Sequence, residues 1–93
     1  MNVKELIENY KTLLEPYPPY RPSTIKDDYT SDELLEYASF ILDQADELLV
    51  EGRETEATLM LGFAQGLMFS EGSVTVKDLR RHIKNPSVIL EEK

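Results

Sequence analysis

Carboxylates spaced three apart along a helix are the residues in this chain best placed to do chemistry. Glu33 and Glu36 lie at that spacing, as do Asp43 and Asp46. Residues three apart share a helix face. Two such pairs on facing helices would give a hard cation such as magnesium the several oxygens it requires. That is the equipment of a magnesium-dependent, all-helical nucleotide hydrolase. Here both pairs fall on one predicted helix. The nearest carboxylates on the next helix are Glu51 and Glu54, and only Arg53 is placed to meet a phosphate. A solvated helix face accounts for the same residues, and no metal ligand is assigned.

Other chemistries find less. A di-iron bundle needs a Glu-x-x-His pair on each of two helices. The chain has one histidine, His82, and the residue three before it is Leu79. His82 is expected at the surface of a short basic helix. With no cysteine there is no thiolate ligand, no thiol nucleophile and no disulfide, a usage that fits a reducing compartment. No glycine-rich phosphate loop and no Ser-His-acid arrangement is present. No catalytic residue and no cofactor is therefore assigned, and the chain is expected not to be an enzyme.

Charge points toward binding. The net charge is -8. Residues 27–56 hold eleven carboxylates against one cation, Arg53, whereas residues 77–84 hold Lys77, Arg80, Arg81 and Lys84 against Asp78. An acidic body repels phosphate backbones, so direct nucleic-acid binding by the whole domain is disfavoured. The acidic face Glu36, Asp43, Asp46 and Glu47 is a candidate surface for a protein partner. Carboxylates at near-phosphate density could also mimic nucleic acid and occupy the groove of a basic DNA- or RNA-binding protein. The basic residues Arg80, Arg81 and Lys84 follow a capped turn, as in a helix-turn-helix fragment, but they equally suit the C-terminal end of a helix dipole.

The elements that carry these residues read as all-α: a small bundle of three to four helices around a central antiparallel hairpin, in a single domain of 93 residues. Residues 2–14 repeat apolar side chains at three- and four-residue steps behind a cap at Asn2. Residues 15–30 form a connector in which Pro16, Pro18, Pro19 and Pro22 alternate with Tyr17, Tyr20 and Tyr29. It is either a strap whose tyrosines pack on the helices or an aromatic docking segment. Residues 31–51 open with a Thr30–Glu33 capping box and end at Gly52, so the helix at 53–71 should return antiparallel. A short helix at 76–84 is expected to turn Val76, Leu79 and Ile83 inward, and residues 85–93 form a tail.

The helix at 53–71 is apolar at almost every angle, which calls for burial on all sides. Three other helices offer barely enough cover in a chain this short, which buries only about 60 to 65 % of its unfolded surface. Gly62 and Gly66 sit one turn apart inside it, although glycine costs about 1 kcal/mol against alanine there. Together with Leu59, Phe63 and Phe69 they are expected to pack closely on another helix, within the fold or across a homodimer. No apolar run reaches the roughly 20 residues of a membrane span, and the N-terminus lacks a signal-peptide pattern, so a cytoplasmic location is expected.

Leu61, Gly62, Phe63, Gln65 and Gly66, with Gly72, Thr75, Leu79 and Arg80, form an L-G-F-x-Q-G…G…T…L-R pattern. It resembles a motif of short uncharacterised phage and prophage helical proteins and covers about twenty residues. Residues 34–67 are also similar to a family of short archaeal helical proteins of unknown function, from which the chain departs after Gly66. Neither resemblance carries a catalytic residue. The first implies a small acidic binding protein in a host cytoplasm, acting on a host protein.

Overall fold

The structure, a computed structural model, describes residues 1–22 and 28–91. The middle of the proline/tyrosine connector (23–27) and the last two residues of the tail lie outside the described residues. The chain is all-helical, with five helices among the described residues.

α1 (Val3–Leu13) starts where the Asn2 side chain accepts the Glu5 backbone N–H at 3.0 Å. Its inward face is Val3, Leu6, Ile7 and Tyr10. α2 (Ser31–Val50) opens with the expected capping box: Glu33 N–H donates to Thr30 Oγ1 at 3.1 Å, and Thr30 N–H donates to Glu33 Oε1 at 3.0 Å. Its buried stripe is Leu35, Ala38, Ser39, Ile41, Leu42 and Ala45, flanked by the half-buried Leu34, Tyr37, Leu48 and Leu49. Gly52, at φ 78°, ends α2. Arg53 N–H returns to Leu48 O at 2.8 Å and Gly52 N–H to Leu49 O at 3.0 Å, satisfying carbonyls the helix end would otherwise strand.

That tight turn sends α3 (Glu54–Glu71) back along α2, and this hairpin is the most extensive packing in the fold. α3 stops in the same way at Gly72, φ 99°, with Ser73 N–H donating to Met68 O. α1 lies across the hairpin, against both α2 and α3. Fully buried side chains such as Leu6, Ile7, Leu42 and Leu61 contribute about 1.5–3 kcal/mol each.

The expectation that α3 is buried on every side is corrected. Ala57, Leu61, Ala64 and Met68 face the core, but the opposite side is open: Leu59 is 70 % exposed, Phe63 47 % and Phe69 50 %. Apart from the adjacent turns of α3 itself, no described atom comes within 4 Å of where a Cβ would sit on Gly62 or Gly66. These glycines therefore do not let another helix of the same chain come close. The other described helices pack on the inner side of α3 and leave this side open.

α4 (Val76–Lys84) also differs. A reciprocal Thr75–Asp78 capping box starts it as expected. Leu79 packs against the core as expected, but beside it the inward residue is His82, 1 % exposed, while Val76 and Ile83 face out. The residues read as a tail form α5 (Val88–Glu91), packed on α1 and α4, with Ile89 buried and Asn9 Nδ2 donating to Pro86 O at 2.9 Å. The connector is fastened as well: Tyr20 N–H donates to Glu36 O at 3.1 Å, and Tyr17 packs against the core, while the Tyr20 side chain is half-exposed.

Candidate functional site

Four regions compete for the role of functional site, and the structure treats them differently. The acidic face is not a free carboxylate surface. Lys11, projecting from α1, sits between Asp43 and Asp46, with Nζ 3.3 Å from Asp43 Oδ1 and 3.0 Å from Asp46 Oδ2. The hydrogen bond to Asp46 is the main reason the Lys11 ammonium is held charged above its usual range. Glu36 is half-buried beneath the connector, and Glu47 is exposed. Among the described residues, no three His, Cys, Asp or Glu side chains converge as a metal site would need.

The basic residues of α4, Arg80, Arg81 and Lys84, are all exposed. Arg81 lies 3.6 Å from Asp78 on the same helix. Asp78 is held below the usual carboxylate range, chiefly by the Thr75 backbone N–H and then by the Thr75 hydroxyl. It is thus occupied as a helix cap.

A buried polar cluster joins three helices and was missed in the sequence. Gln65 of α3 donates through Nε2 to Tyr10 Oη at 3.3 Å, and Tyr10 Oη lies 2.8 Å from His82 Nδ1. The two rings meet edge to face at 5.6 Å. Burial pushes the His82 imidazole below its ordinary range, with Asp78 opposing this and Arg81 adding to it. A tyrosine hydroxyl that accepts from Gln65 can in turn donate to Nδ1 of an imidazole whose proton is on Nε2. Burial likewise raises the Tyr10 phenol. This chain of hydrogen bonds orders α1, α3 and α4 against one another. Its trace in the sequence was the three-residue step from Leu79 to His82, which places both on one face. Next to it a cleft of about 370 Å³ opens between the ends of α1 and α3. Its walls are mostly apolar, among them Leu14, Tyr17, Leu35, Met68 and Ile89.

The fourth region is the outer side of α3. Leu59, Gly62, Phe63, Gly66 and Phe69 follow the three- and four-residue steps of a single helix face. All five are exposed. Phe63 leans against Tyr37 of α2, ring centroids 5.5 Å apart and nearly perpendicular. Between the two glycines the helix backbone lies bare. From residue 57 to residue 70 the helix carries no charge, in a chain that is nearly one-third charged. The structure therefore gathers these five predicted residues into one exposed strip, while Lys11 ties down two of the acidic set, Asp43 and Asp46.

No known protein family, curated protein or solved structure matches the chain. Among the described residues, no helix is long and apolar enough to cross a membrane.

Proposed function

We propose that the chain is a non-enzymatic interaction protein whose contact surface is the outer strip of α3. One observation carries this: a helix that already buries Ala57, Leu61, Ala64 and Met68 presents a second apolar face to water, with two glycines in it that meet nothing. Each glycine costs the helix about 1 kcal/mol against alanine. An uncharged, apolar, glycine-notched strip suits a surface that is covered when the protein works. The resemblance to phage proteins around this helix is consistent with a binding role.

A nucleic-acid mimic is less well supported, because Lys11 neutralises the centre of the acidic face. A magnesium-dependent hydrolase would need several converging carboxylates, and among the described residues no three come together. Binding partners should be lost on Leu59→Glu, with helix content unchanged, and retained on the pair Asp43→Asn and Glu47→Gln. Retention on the first and loss on the second would move the site to the acidic face.

A further inference from the structure

We infer that the strip of α3 is covered by a second copy of this chain, in an antiparallel, two-fold symmetric crossing whose centre lies between Gly62 and Gly66, at the level of residue 64 along the helix. The inference rests on the strip being the contact surface and names its occupant. A two-fold interface brings the same patch of both subunits together, so the patch must complement itself. The strip does so about its own midpoint. Leu59 lies five residues before Ala64 and Phe69 five after, and Gly62 and Gly66 lie two on either side. With the two helices antiparallel, Leu59 of one protomer is level with Phe69 of its partner, and Gly62 with Gly66. Large side chains close the two ends of the contact, and the glycine notches meet at its centre, where the absence of Cβ atoms lets the two backbones approach.

Charge selects the same arrangement. The first turn of α3 carries Glu54 and Glu56, with Arg53 paired to Glu56, whereas the helix after its far end exposes Lys77 and Arg80. Antiparallel pairing sets the acidic start of each α3 beside the partner's turn into basic α4. Parallel pairing would set acid against acid in a protein of net charge -8. The long uncharged stretch between these ends needs an equally uncharged partner, which a second α3 supplies. The helix dipoles also oppose each other favourably in the antiparallel pair.

Analytical ultracentrifugation of the full chain across the micromolar range tests this. A species of twice the 10.7 kDa chain mass is expected. Its dissociation constant should rise at least about tenfold in Gly66→Glu and in Leu59→Glu. Both positions are open in the protomer, so each variant should keep the parent's circular dichroism. The chain has no cysteine, so orientation can be read by mixing Leu59→Cys chains with Phe69→Cys chains and oxidising. Disulfides between the two kinds are expected. Disulfides within each kind require a parallel pair, since antiparallel copies of one site are separated by ten residues, about 15 Å along the helix. A preponderance of these would overturn the antiparallel arrangement. A monomer throughout the range overturns self-association. If that monomer still loses a partner on Leu59→Glu, the strip remains a contact surface for another protein. A dimer indifferent to both glutamate substitutions overturns the strip itself.

Discussion

Replacing Tyr10 with phenylalanine removes one oxygen and tests the buried cluster directly. The ring keeps its place in the core, so the change isolates the two hydrogen bonds to Gln65 and His82. Gln65 is half-buried and can turn its amide to water, but the imidazole Nδ1 cannot, because His82 is 1 % exposed. Stranding a buried acceptor costs about 1–3 kcal/mol, and we take about 2 kcal/mol here. Unfolding entropy runs near 2.1 cal/mol/K per residue, about 0.2 kcal/mol/K for the whole chain, so Tyr10→Phe should lower Tm by about 10 °C. The same geometry sets a pH dependence. The folded imidazole is depressed below its ordinary value of 6.5, so near and below that pH the unfolded chain takes up a proton the folded chain resists. The associated stability is fully present above pH 6.5 and is lost as pH falls toward and through the folded value. Protonation would put a second hydrogen between Nδ1 and Tyr10 Oη, leaving the tyrosine hydrogen to find another acceptor in the core. The chain contains a single histidine, so its ring resonance can be titrated by NMR beside thermal melts. A Tm within about 2 °C of the parent for Tyr10→Phe, or a His82 titration midpoint at or above 6.5, would refute the reasoning.

The glycines of α3 and its terminus should respond in opposite directions. Gly66→Ala adds a methyl group in open space and should stabilise the protomer by about 1 kcal/mol. Gly72→Ala forces a side chain into φ 99° and should destabilise by about the same amount; urea melts on dilute protein would show both. Lys11→Met removes the tie between α1 and α2. Because all three partners are more than a third exposed, it should cost less than about 1 kcal/mol, and the difference from the parent should shrink in high salt.

The parts legible in the sequence were those fixed by local chemistry. Thr30 with Glu33, Thr75 with Asp78, and Gly52 and Gly72 each act through bonds within a few residues, so start and stop signals could be read directly. The helical class and the hairpin followed from them. The face of α4 could not be read this way. Hydropathy assigns Val76 and Ile83 inward and His82 outward, and the structure reverses this because Tyr10, 72 residues away, offers the histidine a partner inside the core. A polar side chain is buried where it is hydrogen-bonded, and that partner is set by tertiary structure. The same holds for the acidic face, where Lys11 on another helix decides which carboxylates are free. α5 was hidden for another reason: four residues are too few to show a period. The candidate strip lies between these cases. Its residues were visible as an apolar excess, but which face of α3 would be left open depended on where the other helices pack.

That choice of face is itself a problem the molecule has to solve. When a helix is apolar all round, hydrophobic burial favours no one rotation about its axis strongly. In α3 the selection falls to shape and to one polar group. The inner face alternates small Ala57 and Ala64 with larger Leu61 and Met68, and this profile meets the rest of the core, whereas the outer face sets Gly62 and Gly66 among Leu59, Phe63 and Phe69. Gln65 then fixes the rotation, because only with this face inward does its amide reach Tyr10 Oη. A satisfied polar group of this kind contributes more to uniqueness than to total stability. Gln65→Leu should therefore retain the helix content and a Tm within about 5 °C of the parent, since an apolar side chain replaces a single modest hydrogen bond. Its loss should appear in the amide NMR spectrum, as broadened or doubled resonances along α3 and at Tyr10 and His82, and as weaker self-association, because the outer strip would no longer be held in one orientation. One sharp set of α3 resonances in Gln65→Leu would mean that shape alone orients the helix, and that the cluster of Gln65, Tyr10 and His82 has no part in presenting the strip.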